Sequence, residues 1–356
     1  MSDIRSVAIY LPQFHPIPEN DKWWGKGFTE WTNVTKAKPL FKGHYQPHLP
    51  ADLGFYDLRL KESRVAQAEL AREHGIYGFC YYHYWFNGTR LLQRPLDDML
   101  ITGTPDFPFM LCWANENWTR RWDGQDKEVL IKQDYSHDDD LTHIRFLIEN
   151  VFSDSRYIRK DNKPYFLVYR PTLFPDIKKT LQIWRSEALT SGLGELHLGY
   201  VQSFNFKGDP LEYGFDSAIE FHPDFTIPPA RKSGSFTDRL LNKFKVKSSV
   251  YADNGIVSYR EYVNNMLNIK SPSNIYPGII PGWDNSARRK SGATIMVDSN
   301  PHEYKRWLLS IKEKYKDEET FLFINAWNEW AEGNHLEPCQ KWGRQYLEAT
   351  RDVLKG

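Results

Sequence analysis

The segment TFLFINAWNEWAEGNHLEP, residues 320–338, joins a short apolar run to a cluster of aromatic and polar side chains. The run TFLFI is as long as an average strand and is almost continuously apolar, as strands covered on both faces are. Two glutamates, Glu329 and Glu332, follow it three residues apart, with Trp327 and Trp330 beside them. The segment therefore predicts a buried strand that ends in aromatic and polar residues.

Seven other segments have the same pattern. They are SVAIYLP (6–12), IYGFCYYHYWF (76–86), FPFMLCWANENW (107–118), PYFLVYRP (164–171), LHLGYVQSF (196–204), DSAIEFHP (216–223) and IYPGIIPGW (275–283). Helical stripes of apolar residues lie between them, at 141–152, 177–188, 304–311 and 346–353, and the segments 59–74 and 93–101 are further helix candidates. Eight strands alternating with helices predict a (β/α)8 TIM barrel, an α/β fold, formed by residues 1–356 as a single domain.

An open doubly wound sheet is the competing architecture, but such sheets carry a glycine-rich turn after the first strand. No GxGxxG or GxxxxGK[ST] motif occurs in this chain. Two long connections, at about 13–58 and 224–256, are predicted to be loop insertions over the C-terminal face of the barrel. The first should be ordered, because its aromatic side chains need burial. For the second a solvated mobile loop is favoured over a specific lid.

Charge and hydropathy exclude several classes of partner. Lys and Arg together number 46, as do Asp and Glu, which gives no reason to expect nucleic acid or an anionic membrane as a partner. No apolar run approaches 18 residues, so no membrane span is predicted. The N-terminal segment MSDIRSVAIYLPQFHP lacks the apolar core of a signal peptide, which predicts a cytoplasmic protein.

The active site of such a barrel lies where the strands end, at the C-terminal face. Aromatic rings, carboxylates and amides gather at these ends and suit a sugar, whose C–H face packs on a ring while its hydroxyls form hydrogen bonds. We therefore predict an oligo- or polysaccharide substrate. The predicted substrate-binding residues are Tyr82, His83, Tyr84, Trp85, Trp113, Asn115, Glu116, Trp118, Gln202, Glu220, His222, Trp283, Asp284, Asn328, Trp330 and Glu337.

Paired carboxylates at a sugar site indicate glycoside hydrolysis, which uses one carboxylic acid and one carboxylate. Glu329 and Glu332 are the predicted pair, because they follow a strong strand and alternate with tryptophans. A solvated helix face is the less favoured interpretation of their spacing. Glu116 could instead pair with Glu329, or could form a structural ion pair with Arg120. Glu337 is undecided between substrate contact and support of the loop.

Cofactor and metal chemistry have little support in the sequence. His15, His83 and His222 come from different strands without a recognised ligand spacing, so no metal site is predicted. No GxSxG nucleophile motif is present. The three cysteines, Cys80, Cys112 and Cys339, are too few to indicate a disulfide framework. No cofactor is predicted.

Four motifs resemble the glycoside hydrolase family 99-like group, which includes WbsX-type proteins found with surface-polysaccharide genes. The motifs are YLPQFHP (10–16), YYHYW (81–85), WANENW (113–118) and NAWNEWAEGNHLEP (325–338). Family 99 enzymes are endo-acting α-mannosidases with a (β/α)8 barrel and no metal requirement, so the resemblance implies an enzyme acting on α-linked glycans.

The resemblance also implies that Glu329 and Glu332 are both catalytic and that anomeric configuration is retained through a 1,2-anhydro sugar. Glu329 would take the proton of the sugar's 2-hydroxyl, and Glu332 would protonate the leaving group. Two alternatives remain, a retaining glycosyltransferase of surface-polysaccharide (O-antigen) biosynthesis and a catalytically inactive glycan-binding barrel.

Overall fold

A ring of parallel strands forms the centre of the computed structural model, which describes residues 4–120, 125–233 and 250–356. The sheet positions are here labelled β1 to β8 in chain order. They are β1 (Ile4–Tyr10), β2 (Gly78–Phe86), β3 (Phe109–Trp113), β4 (Lys163–Val168), β5 (His197–Gln202), β6 (Ser217–Glu220), β7 (Ile275–Tyr276 and Gly278–Ile279) and β8 (Thr320–Ile324).

Strand β7 closes the ring in two halves. Its first half pairs with β6, with Ala218 opposite Ile275, and its second half pairs with β8, with Gly278 opposite Phe323. Pro277 separates the halves, since a proline has no backbone N–H to donate to a ladder. Strand β1 pairs with β2 on one side and with β8 on the other. The predicted (β/α)8 barrel is confirmed.

Helices lie around the ring and in its long loops. They are α1 (Pro18–Trp24), α2 (Glu30–Lys36), α3 (Lys61–Glu73), α4 (Arg94–Thr102), α5 (His137–Leu147), α6 (Ile177–Thr190), α7 (Val250–Asp253), α8 (Tyr259–Met266), α9 (Pro301–Lys314) and α10 (Gln345–Leu354). Helix α9 begins after Asn300, whose side chain accepts a hydrogen bond from the backbone N–H of Glu303 at 3.0 Å. Such an N-cap satisfies a backbone donor that the helix itself cannot pair.

Aromatic side chains fill the interior of the ring. Tyr165 of β4 lies with its ring centroid 5.7 Å from that of Phe321 and 6.2 Å from that of Phe323, both on β8. Strands β4 and β8 lie on opposite sides of the ring, so these contacts cross the interior. The ring is therefore a packed core, and a ligand can enter only at an end of it.

Short strand pairs and loops extend the C-terminal face. The short pairs there are Trp118–Arg120 with Gln125–Ile131, Gly255–Ser258 with Thr294–Val297, Asn328–Glu329 with Asn334–His335, and Thr89–Leu91 with β2, whereas Arg159–Lys160 pairs with the start of β4 at the opposite face. The loop at 13–58 contains α1 and α2. In the loop at 224–256, residues 234–249 lie outside the described residues. The prediction of a mobile loop rather than a lid falls on these residues.

Candidate active site

A cleft of about 560 Å³ opens among the C-terminal ends of the strands. Eight of the residues predicted from sequence to act on the substrate line it, and they come from β2, β5 and the loops after β3, β7 and β8. They are Tyr82, Tyr84, Glu116, Trp118, Gln202, Trp283, Glu329 and Glu332. The cleft therefore brings both predicted catalytic glutamates together with a large share of the predicted sugar-binding rings.

Strand alternation explains why only half of the YYHYW motif lines the cleft. Side chains of a strand point to opposite faces in turn, so Tyr82 and Tyr84 point into the cleft while His83 and Trp85 point toward the helices. His83 Nε2 lies 3.0 Å from His143 Nε2, and Trp85 Nε1 donates to Asp139 Oδ1 at 2.8 Å. Both partners belong to α5, so these two residues attach that helix to the barrel.

Two predicted site asparagines support the loops that form the cleft. Asn328 Oδ1 accepts the backbone N–H of Leu11 at 2.7 Å, and its Nδ2 donates to the carbonyl oxygen of Leu11 at 3.0 Å. Asn115 Nδ2 donates to the carbonyl oxygen of Arg170 at 2.9 Å, and its Oδ1 accepts the backbone N–H of the same residue at 2.8 Å. Each asparagine therefore fastens the end of one strand to a neighbouring strand end.

The other predicted residues lie behind the cleft wall or beside it. Trp113, Trp330 and Glu337 are buried in the core. Glu220 and His222 line a separate cavity of about 330 Å³ that Gln202 also borders. Asp284 faces a further cavity of about 360 Å³, and its Oδ2 lies 2.7 Å from His44 Nε2.

The two glutamates are presented by a tight turn after β8. Glu329 ends the short strand Asn328–Glu329, and Glu332 ends the 3-10 turn Trp330–Glu332. The next residue, Gly333, has φ 57°, and a Cβ built on it would lie 2.9 Å from Cβ of Asp284. Glycine is required here for both reasons. The turn brings both carboxyl groups to one side of the cleft.

Arg288 lies between the two glutamates. Its Nη1 donates to Glu332 Oε1 at 2.6 Å and its Nη2 to Glu329 Oε2 at 3.0 Å. A third carboxylate, that of Glu30 on α2, accepts from Nη2 at 2.9 Å and from Nε at 3.3 Å. One guanidinium therefore binds three carboxylates, two of which line the cleft.

Burial and charge change how these groups titrate. Burial raises the pKa of Glu329, the nearby Arg288 lowers it, and the charges of Glu332 and Glu30 raise it again, to about 8. Burial also raises the pKa of Glu30, against the opposing effect of Arg288. For Arg288, burial lowers the pKa, but the three carboxylates outweigh burial and raise it overall. Arg288 is therefore charged at neutral pH, and the Glu329 carboxyl is a weaker acid than that of an exposed glutamate.

Glu116 is held by a cation from another strand. Its Oε1 accepts from Arg170 Nη1 at 2.6 Å. Arg170 also lies over the ring of Phe204, with Cζ 3.8 Å from the centroid. The sequence suggested Arg120 as the partner, and the side chain of Arg120 lies outside the described residues. The contact with Arg170 ties the loop after β3 to the end of β4.

Aromatic rings form much of the cleft wall. Tyr169 lies 5.9 Å from Tyr82 and 6.1 Å from Phe204, and Phe225 lies 6.3 Å from Trp283, all between ring centroids. All five of these residues line the cleft. Their faces and edges provide the apolar surfaces on which sugar rings pack.

Several site residues were not selected from the sequence, above all Glu30 and Arg288. Phe204 and Phe225 were missed as well, although Phe204 is the last residue of the predicted segment 196–204 and Phe225 lies two residues beyond the segment 216–223. Their position was the available signal, since each lies close to the end of a predicted strand. Glu30 gave no comparable signal, because it belongs to α2 in the long first loop.

Within residues 4–120, 125–233 and 250–356, no group of three or more His, Cys, Asp or Glu side chains could hold a metal ion. His222 Nδ1 lies 2.7 Å from the hydroxyl of Tyr262, and His83 contacts His143. The three cysteines are free and buried. In the same part of the chain, no helix is both long and apolar enough to cross a membrane.

Comparison with known proteins assigns the family. The family described as glycosyltransferase WbsX matches residues 6–350. The chain belongs to the WbsX family. Among its curated relatives, uncharacterized protein WxcX of Xanthomonas campestris pv. campestris is 44% identical over 353 residues, which are 98% of this chain and 49% of the relative. This WbsX-family chain thus spans about half the length of the curated relatives it matches.

Solved structures share the fold of this WbsX-family chain at low identity. A glycoside hydrolase-like protein matches with a TM-score of 0.61 at 13% identity, over 99% of this chain and 94% of the other. The GH99 endo-alpha-mannosidase from Bacteroides thetaiotaomicron matches with a TM-score of 0.57 at 13% identity, over 100% and 98%. Both likenesses concern the barrel fold.

Proposed function

We propose that this chain is a glycoside hydrolase that acts on α-linked, mannoside-like glycans in surface-polysaccharide metabolism. The observation that carries the proposal is the pair Glu329 and Glu332, which face one aromatic-walled cleft at the C-terminal end of the barrel. Two carboxyl groups at a sugar site are the minimum apparatus for breaking a glycosidic bond. Membership of the WbsX family supports a role in glycan chemistry.

The proposed mechanism retains configuration in two steps. The first step starts from the form in which Glu329 is ionised and Glu332 is protonated: the Glu329 carboxylate takes the proton of the sugar 2-hydroxyl while O2 attacks C1. The bond from C1 to the leaving oxygen breaks, and that oxygen takes the proton of the Glu332 carboxyl group. A 1,2-anhydro sugar results, with Glu329 protonated and Glu332 ionised.

The second step reverses the proton transfers. The Glu332 carboxylate takes a proton from water, the water oxygen attacks C1, and the bond from C1 to O2 breaks. O2 regains a proton from Glu329, so both glutamates return to their starting state. Each step inverts C1, and the product has the configuration of the substrate. Because the nucleophile belongs to the sugar, both carboxyl groups can belong to one short turn.

A direct test is incubation of the purified chain with a panel of α-linked oligosaccharides, followed by NMR of the new reducing end. Release of a sugar whose anomeric configuration is retained at first formation supports the proposal. Inversion at C1, or release from β-linked but not α-linked members, would contradict it.

A retaining glycosyltransferase is the second candidate, favoured by the description of the family. Binding of a nucleotide sugar, with product formation that depends on it, would select this candidate. An inactive glycan-binding barrel would instead bind oligosaccharides without turnover, and Glu329→Gln and Glu332→Gln would leave its affinity unchanged.

Two exposed aromatic residues predict that the cleft takes more than one sugar ring. Phe204 is 52% exposed and Phe225 is 51% exposed, although both are large and apolar and both line the cleft. Phe204 also has φ 50°, an unusual conformation for a bulky residue that accompanies function more often than stability. These features favour stacking against a chain of sugars and endo action.

Phe204→Ala and Phe225→Ala should each raise KM for a long oligosaccharide by about tenfold, the effect of losing about 1.4 kcal/mol of stacking. The shortest cleaved substrate should be affected much less. The measurement is kcat and KM over a series of chain lengths. Leu211→Ala is a matched control, because Leu211 is 65% exposed and does not line the cleft. Equal effects on short and long substrates would show that these rings do not bind the extended chain.

A further inference from the structure

Four charged groups, here called the Arg288 cluster, form one unit at the base of the proposed site. They are Glu30, Arg288, Glu329 and Glu332, joined by contacts of 2.6 to 3.3 Å. Glu329 and Glu332 line the cleft together with Arg288, whereas Glu30 is not among the lining residues. Glu30 therefore contacts Arg288 from the side that faces away from the cleft.

Glu30 fixes the orientation of Arg288. Its side chain is fully buried and accepts from two nitrogens of the guanidinium, Nε and Nη2. Both contacts go to one oxygen, Glu30 Oε2, which therefore lies between Nε and Nη2 and fixes that edge of the guanidinium. The remaining nitrogen, Nη1, is then directed at Glu332.

The charges in the cluster are not balanced. Arg288 supplies one positive charge, because a guanidinium stays protonated in proteins. Three ionised carboxylates would leave a net charge of −2 in a buried site, which is unfavourable, so at least one carboxyl group holds a proton. Glu332 makes the shortest contact with Arg288 and Glu30 accepts from two of its nitrogens, whereas Glu329 has one contact of 3.0 Å, on the Nη2 that it shares with Glu30. The geometry therefore favours ionised Glu332, and the raised pKa of Glu329 agrees with it.

We propose that Arg288 is a positioning residue: held by Glu30, it orients both catalytic glutamates and stabilises the ionised form of Glu332. The inference rests on the proposed function of the site. In that reaction Glu332 becomes ionised and Glu329 becomes protonated when the leaving group departs. In the ligand-free cluster the proton already lies on Glu329, so the reaction proceeds from the less populated form with ionised Glu329, and Arg288 stabilises the state that follows bond cleavage.

Two substitutions should move the pH dependence of hydrolysis in opposite directions. Arg288→Met removes the positive charge that favours ionised carboxylates, so both limbs of the profile of kcat/KM move to higher pH by about one unit or more. Glu30→Gln removes a negative charge, so both limbs move to lower pH. A purely structural role would lower the rate evenly and leave both limbs in place, and that result would overturn the proposal.

Glu303→Gln is the matched control. Glu303 is a buried carboxylate that binds Arg306 at 2.6 Å and Arg260 at 3.1 Å, and it does not line the cleft. The substitution Glu303→Gln removes a comparable carboxylate–arginine contact. It should therefore lower the stability of the protein while leaving both limbs of the pH profile unchanged. A shift in this variant as large as that of Glu30→Gln would count against a specific role for the Arg288 cluster.

A measurement without turnover separates this inference from the proposed function. Glutamate carboxyl carbons labelled with ¹³C can be titrated by NMR in the full chain, and Glu329→Gln and Glu332→Gln assign the two signals. We expect the proton of the cluster to lie on Glu329 and not on Glu332, and Arg288→Met to raise the titration midpoint of Glu329. If Glu332 carries the proton instead, the inference is wrong even if the chain hydrolyses glycans. If the titration is as expected but no α-linked glycan is cleaved, the proposed function fails and the charge arrangement stands.

Discussion

Glu332→Gln should lower the rate of hydrolysis of an α-linked glycan by ~10²–10⁴-fold, and Glu329→Gln should do the same, as expected for removal of a general acid or base. Glutamine has nearly the same shape but can neither give nor take the proton that the reaction requires. The measurement is kcat/KM on a cleaved oligosaccharide, with binding of the same oligosaccharide by calorimetry. Affinity should persist, because only the proton transfer is lost.

The leaving group distinguishes the two roles. An acidic leaving group, such as the dinitrophenolate of a dinitrophenyl glycoside, departs without protonation. The Glu332→Gln variant should therefore hydrolyse such a substrate at much of the wild-type rate. Glu329→Gln should stay slow, because O2 still needs a base to attack C1. Recovery in Glu329→Gln but not in Glu332→Gln would reverse the two assignments.

Glu116→Gln tests the alternative pairing of Glu116 with Glu329. Glu116 lines the same cleft and binds Arg170, so its substitution should weaken substrate binding without removing a proton donor or acceptor. If Glu116→Gln lost as much rate as Glu329→Gln while Glu332→Gln kept most of its rate, the catalytic pair would be Glu116 and Glu329.

The barrel was predictable because its strands are buried on both faces. Every residue of β3 and β8 is buried, which requires the continuous apolar runs that the sequence displays. The division of β7 at Pro277 also has a local cause that the sequence contains. The number of strands follows from such local signals, since each strand carries its own pattern, whereas the boundaries differ: the segment 107–118 contains a strand only at Phe109–Trp113.

The division of the strand-end residues between cleft and core was only partly predictable. All four residues of YHYW (82–85) were predicted to bind the substrate. Because side chains alternate along β2, only Tyr82 and Tyr84 of these four line the cleft. That signal was present in the sequence. The Arg288 cluster was not predictable in this way, because Glu30 and Arg288 are 258 residues apart and meet only through two long loops. Likewise the partner of Glu116 is Arg170, 54 positions away.

Glu337→Ala should destabilise the protein by at least about 3 kcal/mol, because it leaves three buried donors without an acceptor. The carboxyl group of Glu337 accepts from the hydroxyl of Tyr56 at 2.8 Å, from Gln67 Nε2 at 2.6 Å and from Trp330 Nε1 at 2.6 Å. Glu337 is 2% exposed and lies outside the cleft, so its position supports the loop rather than the substrate. Chemical denaturation gives the free energy of unfolding, and Glu69→Ala on α3, an exposed carboxylate, should change it by less than about 0.5 kcal/mol.

The pH dependence of this stability has a definite sign. Burial raises the pKa of Glu337 from 4.5 to about 7, although its hydrogen-bond donors oppose the shift. Because the folded pKa exceeds the unfolded one, the contribution of the protonated carboxyl is fully present below about pH 4.5 and is lost as the pH rises through about 7. The difference in unfolding free energy between the wild type and Glu337→Ala should therefore narrow over this interval. Glu337→Gln, which is neutral at every pH, should lack that dependence relative to Glu337→Ala. A difference that widened with rising pH would mean that Glu337 is held ionised, with its pKa lowered by its donors.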